Sequence, residues 1–505
     1  MRTLTKIAAT VMLGSASVNV FATDVLNSID HIVVIYGENR SFDNLYGLFP
    51  GANGISKATT SQYLQIDTDG KKLKTLPPIW KEGSKTNEID PKFVEADGKT
   101  PMLLPNKPFR LDQAPFNLGI NVETRDLVHR FYQNQEQING GKNNKFAAVS
   151  DAGGLVMGYY DGSSMKMWEI AKKYTLADNF FMGAFGGSYM NHIYLACACV
   201  AEFKSAPASI IAAVEKDGKT LTRTSDSPVS AINGAPKFLL NGAITPDGFA
   251  VNTMQPPYQP SGVAPAVGGD LTLADVSKNP LPPQTKTTIG DVLSDKGVSW
   301  AWYSGAWNDA VKDGQQAPDA SRKVIYATGA GQPNFQAHHQ PFNYFSNYAP
   351  GTKARADHLK DLTDLESDIA KGTLPSVAFY KPQGTLNEHA GYADVAAGDQ
   401  HIADLIGKIQ ANNALWSKTL IIVTYDENGG FWDHVTPPKG DRWGPGTRIP
   451  AILVSPFTAG GKIDHTKYDT SSILKLITKR FGLKTLDGLK TRHNAGDLTK
   501  ALKAI

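Results

Sequence analysis

Short runs of branched apolar residues recur along the chain, each closing on polar or acidic residues, with longer segments of helical periodicity between them. The clearest runs occupy 31–36, 374–380, 419–425 and 449–455, and 298–303 follows the same pattern behind a helical 289–296. Unbroken apolar runs of this length predict strands buried on both faces, as in a parallel sheet. Residues 165–173, 358–371, 397–412 and 471–481 carry apolar positions at helical spacing. The alternation predicts an α/β fold in which a mostly parallel central sheet is sandwiched by helices. In such sheets ligands gather at the carboxyl ends of the strands.

The periodicity lapses over about 205–284, which is rich in Pro, Gly, Ala and Ser, most densely at 255–260 and 279–283. This stretch reads as an irregular insertion over the sheet, a lid without a core of its own. A second irregular stretch spans 51–110, and no internal repeat is visible.

Arg2 and Lys6 precede an apolar stretch at 7–20, and Val20-Phe21-Ala22 places small side chains where a signal peptidase cleaves. Residues 1–22 are therefore expected to be a signal peptide, and 23–505 one catalytic domain that is periplasmic or secreted. No later apolar run reaches spanning length, so no stable membrane insertion is expected. Lys and Arg number 51 against 48 Asp and Glu, a formal charge of +3, which gives no electrostatic case for nucleic acid. The chain has only two cysteines, Cys197 and Cys199. A strained bridge or half of a metal site is conceivable for them, but the expectation is two small residues packed in a helix.

Three strand or helix ends carry chemistry. The run at 31–36 empties into Glu38-Asn39-Arg40. Two oxygen donors on that turn suit a divalent cation, unless Asn39 caps the next helix and Glu38 pairs with Arg40. The run at 419–425 ends in Asp426-Glu427-Asn428-Gly429-Gly430, where adjacent acids repel unless a cation or proton sits between them. Asp433 and His434, just beyond, are either further partners of that site or ordinary loop residues. Gly186-Gly187-Ser188 opens a helix whose free N–H groups suit a phosphate. A cation touching the Ser188 hydroxyl would make it a nucleophile; in isolation such a serine is more often an N-cap. His129, the tandem His338-His339 and His389 add imidazoles able to hold phosphate oxygens or a metal.

Glu38-Asn-Arg-Ser-Phe-Asp-Asn44, Gly187-Ser-Tyr-Met-Asn-His192 and Tyr425-Asp-Glu-Asn-Gly-Gly-Phe-Trp-Asp-His434 resemble the bacterial phosphoesterase family that joins acid phosphatases and phospholipases C. The resemblance covers nearly the whole chain after residue 22. It implies an alkaline-phosphatase-like fold, one divalent metal (calcium, magnesium or zinc) on Glu38, Asn39, Ser188, Asp426 and Glu427, and a phosphate pocket of His129, His338, His339 and His389. Phospholipase C members typically carry β-sandwich extensions, whereas this sequence stops soon after Phe481, and its Asn191-His192 and Cys-Ala-Cys are similar to the acid phosphatase branch. The resemblance thus implies an acid phosphatase that hydrolyses phosphomonoesters through a phosphoserine at Ser188, with phospholipid headgroups as the alternative substrate. Protonated histidines would give it an acidic optimum. A sulfatase would need Pro and Arg after Ser188, and neither is present; an exported phosphate- or metal-binding protein would need no nucleophile at a Gly-Gly-Ser turn.

Overall fold

The computed structural model describes residues 25–84, 86–329 and 333–502; the expected signal peptide at 1–22 lies outside them. Nine strands form the main sheet: β1 (His31–Gly37), β2 (Thr175–Phe181), β3 (Trp300–Ser304), β4 (Leu359–Asp361), β5 (Val377–Lys381), β6 (Thr419–Tyr425), β7 (Arg448–Val454), β8 (Lys462–Asp464) and β9 (Tyr468–Asp469). The order is β8-β2-β7-β6-β1-β5-β3-β4, with β9 also on β2. The mixed α/β fold with a large, mostly parallel central sheet is as the hydrophobic pattern predicts. Ile32 to Tyr36 and Leu420 to Ile422 are at most 1% exposed, the burial that makes their runs continuous rather than alternating. Each such side chain contributes roughly 1.5–3 kcal/mol by leaving water.

The helices that bear on the site are α1 (Phe42–Tyr46), α2 (Ser188–Cys197), α3 (Leu362–Lys371), α4 (Val395–Ala411) and α5 (Thr470–Phe481). Among the described residues no helix is long and apolar enough to cross a membrane.

Three sequence expectations are corrected, and one strand is added to those the pattern predicts. The run at 449–455 is not a parallel strand: β7 runs antiparallel to both β6 and β2. Residues 358–371 are not one helix, because Leu359–Asp361 pairs with β3 and Asp361 then caps α3, accepting from Thr363 N at 3.0 Å. Strand β2 escapes the apolar pattern because Asp178 and Asn179 interrupt it; Asp178 is nonetheless fully buried, and its carboxylate accepts from Asn53 N at 2.7 Å and pairs with His465 at 2.9 Å. Cys197 and Cys199 form a disulfide. Helix α2 stops at Cys197, and Ala198, in the left-handed region at φ 48°, turns the chain back so that the two sulfurs meet.

The stretch at 205–284 is irregular, with 3-10 turns, isolated bridges and one short strand, Phe249–Ala250, on Ala201–Glu202. It is tied to the helix Phe131–Ile138, where Phe131 N donates to Asn252 Oδ1 at 2.9 Å.

Candidate active site

Parallel register brings two acidic turns level. His31 to Gly37 pairs residue for residue with Thr419 to Tyr425, so Glu38 and Asp426 leave adjacent strands side by side. Asn39 follows at φ 58°, a conformation asparagine tolerates better than most residues, and its N–H donates to Asp426 Oδ1 at 3.2 Å. Gly429 packs so close to this turn that a Cβ there would lie 2.3 Å from Asn39 O.

Ser188 is the first residue of α2, and its hydroxyl does not cap the helix. It donates to Asn39 Oδ1 at 3.2 Å and also contacts Asp426. The other local alternatives fail similarly. Ser41, not Asn39, caps α1, accepting from Asn44 N at 3.2 Å. Glu38 ignores Arg40, which instead grips the Glu388 carbonyl with Nε at 3.1 Å and Nη2 at 2.8 Å.

Glu38, Asn39, Ser188, Asp426 and Glu427 are all buried, and Ser188 meets Asn39 while Glu38, Asp426 and Glu427 act on one another electrostatically. Burial and the nearby Glu38 push the Asp426 carboxyl up to about 8, and burial with Asp426 raises Glu427. Asp426 Oδ2 and Glu427 Oε1 are buried without a hydrogen-bond partner. Crowded carboxylates with orphaned oxygens fit a bound cation, which would relieve both the repulsion and the missing contacts. Two imidazoles join them: Glu38, His192 and His339 place ligand atoms within 4.8 Å of one another. Glu38, His192 and His339 form a group able to hold a metal ion.

The histidines separate into distinct roles. His129, His338 and His389 line a cavity of about 370 Å³ together with Ser188. His339 is not on that wall; its Nε2 lies 2.8 Å from Glu38 Oε1. Burial opposes charge on His129, but Glu427 at 3.7 Å and Asp126 at 3.5 Å outweigh it and hold the imidazolium up to about 9. Burial lowers His338 to about 3 and pushes His339 and His389 down, so these three are neutral at ordinary pH. The expectation of several cationic histidines therefore reduces to one, His129.

Three contributors escaped the sequence reading. Lys381, at the last position of β5, donates to Glu38 Oε1 at 2.7 Å; the apolar run predicted for that strand stops one residue short of it. Tyr392 OH donates to Glu38 Oε2 at 3.3 Å and carries no local signal. His192 stands one helical turn after Ser188, a spacing that could have flagged it. Its Nδ1 donates to Ser188 O at 2.7 Å, and its buried Nε2 has no partner.

Asp433 and His434 belong to a buried network below the site. Arg448, at the start of antiparallel β7, bonds Asp433 at 3.0 Å and Asp43 at 3.0 Å, while His434 Nδ1 meets Asp43 at 2.6 Å. The network joins the turn after β1 to the loop after β6.

The chain is similar to phospholipase C B of Mycobacterium tuberculosis, 24% identical over 501 residues, covering 91% of this chain and 74% of that one. It also matches a non-hemolytic phospholipase C of Pseudomonas aeruginosa, 22% identical over 513 residues, covering 94% of this chain and 57% of the relative. A solved protein of the alkaline phosphatase superfamily from Vibrio parahaemolyticus is similar over 77% of this chain and 75% of its own, at 10% identity and a TM-score of 0.28. A profile of the Phosphoesterase family matches residues 29–484, and the chain belongs to that family.

Proposed function

We propose that the chain is a metal-dependent phosphoester hydrolase whose nucleophile is Ser188 and whose substrates are small phosphomonoesters. The observation that carries this reading is the Ser188 hydroxyl, free of any capping role and directed to Asn39 among orphaned carboxylate oxygens. A divalent cation on Glu38, Asn39, Ser188, Asp426 and Glu427 would supply a Lewis acid that lowers the serine pKa and offsets phosphoryl charge. The oxygen set suits calcium or magnesium; the imidazoles of His192 and His339 beside it suit zinc.

The chain's own groups do the rest. The N–H groups opening α2 and the His129 imidazolium receive the phosphoryl oxygens. Ser188 Oγ forms a bond to phosphorus as the bond to the leaving alcohol breaks, and its proton passes to solvent. A cavity water protonates the leaving alkoxide. A second water then cleaves the phosphoserine, releasing phosphate and restoring the hydroxyl. An export route is supported by the signal peptide expected at 1–22 and by the Cys197–Cys199 bridge, since disulfides persist in oxidising compartments.

A second reading, cleavage of phospholipid headgroups as a phosphodiesterase, draws on the relatives' names. Glu82, an exposed acid that lines the same cavity, would receive a cationic headgroup. Hydrolysis of p-nitrophenyl phosphate against p-nitrophenylphosphorylcholine, with and without chelator, separates the two. Chelator-sensitive release from the monoester is expected. Release from the diester alone would overturn the substrate class, and silence on both would overturn the enzyme.

A further inference from the structure

His338 reaches the cavity from a segment that also contacts the irregular insertion, and the atoms behind it have only one consistent polarity. Gly262 N–H donates to Gln255 Oε1 at 2.8 Å. A backbone N–H only donates, which orients the Gln255 amide and leaves Nε2 facing Tyr326 OH at 3.0 Å. An amide nitrogen also only donates, so the phenolic oxygen accepts there. The phenolic proton is then free for His338 Nδ1, also at 3.0 Å. The competing acceptor among the described residues, Gln255 Oε1, is farther away at 3.4 Å and already accepts from Gly262.

We propose that Gly262, Gln255 and Tyr326 are positioning residues, a one-directional hydrogen-bond relay that fixes His338 as an Nε2–H donor for the substrate's phosphoryl oxygen. With Nδ1 engaged from behind by Tyr326, Nε2 is the nitrogen left for a ligand in the cavity that His338 shares with Ser188. Two independent observations support the relay. Tyr326 sits at φ 56°, where bulky residues are rare and persist only if their surroundings over-determine them. Here Tyr326 N donates to Phe335 O and Phe335 N to Val324 O, both at 2.9 Å, and the hydroxyl is held at the far end. Position 262 also packs against both relay side chains: a Cβ there would lie 2.7 Å from Gln255 Oε1 and 2.9 Å from Tyr326 Cε2, so a larger residue would displace them. The insertion thus reaches the chemistry through Gln255, and it does so by setting a tautomer. The role given to His338 rests on the phosphoester reading above; the tautomer does not.

The test is 15N NMR of the full chain with ring-labelled histidine, the His338 signals being identified by their loss in His338→Gln. A protonated Nε2 and bare Nδ1 are expected, and the reverse pattern overturns the relay. Gln255→Glu cannot donate to Tyr326, so the phenolic proton turns to residue 255 and Nδ1 of His338 must carry the hydrogen. That variant is expected to switch the tautomer and lower kcat on p-nitrophenyl phosphate about 10–100-fold with little change in KM. An unchanged tautomer in Gln255→Glu also overturns it. Because the spectrum needs no turnover, an enzyme silent on every ester would sink the functional reading while the relay still stands or falls on the tautomer.

Discussion

The backbone N–H of Asn39 donates to Asp426 Oδ1 at 3.2 Å, although 387 positions separate the two residues. This bond is the shortest expression of what the sheet does. Two parallel strands in exact register end together, so two acidic turns that are remote in sequence share one site. The same bond shows why the site is unstable by itself: Asp426 keeps a second, unpartnered oxygen among Glu38 and Glu427.

Asp426→Asn should therefore stabilise the metal-free protein, by about 1 kcal/mol or more, because it removes a carboxyl that has to be held protonated, at about 8, inside a buried acidic cluster. It should also abolish the rise in thermal midpoint that a divalent cation gives the wild type, and cut turnover at least about 100-fold. Thermal melts with and without chelator check both halves.

Arg448 neutralises two buried carboxylates, Asp43 and Asp433, from within β7. Arg448→Met leaves Asp433 without its cationic partner and Asp43 with His434 alone, and should cost about 3–5 kcal/mol. Denaturant titration measures it. A loss below about 1 kcal/mol would show that the network does not couple the two turns.

Glu388 is fully buried at φ 76°, accepts from Tyr425 OH at 2.6 Å, and is pushed up to about 8 by burial and then by Asp399. Its folded-state pKa is raised, so its protonated form favours the native state. That stability is complete below the ordinary carboxylate pKa and is lost as pH rises through about 8. Glu388→Gln should flatten the fall in stability over this window, which in the wild type has a slope of at most about 1.4 kcal/mol per pH unit. Melting curves from acidic to mildly alkaline pH read the difference.

The strands that build the site were legible because burial on both faces leaves an unbroken apolar signature, and the acidic turns because they follow those strands directly. Strand β2 was not, since the polar Asp178 is satisfied by His465 and Asn53, contacts made across the fold. The direction of β7 was equally hidden, as a fully buried strand reads the same parallel or antiparallel. Ser188, Glu38 and Asp426 were visible as motif residues, whereas Lys381 and Tyr392 enter the site through pairing and loop geometry that no local pattern encodes. The disulfide was misread for a related reason: a C-x-C pair closes only where the helix ends, and that end depends on Ala198 adopting a left-handed turn.

The central claim is that Ser188 becomes covalently phosphorylated during turnover. Acid quench of the enzyme with p-nitrophenyl phosphate, followed by peptide mass spectrometry, reads this directly. The account predicts one phosphoryl group on the peptide containing Ser188, absent in Ser188→Ala, which should also lose turnover while keeping its thermal midpoint. A Ser188→Ala variant that still hydrolyses the ester near the wild-type rate, or a phosphoryl group trapped on another residue, would contradict it.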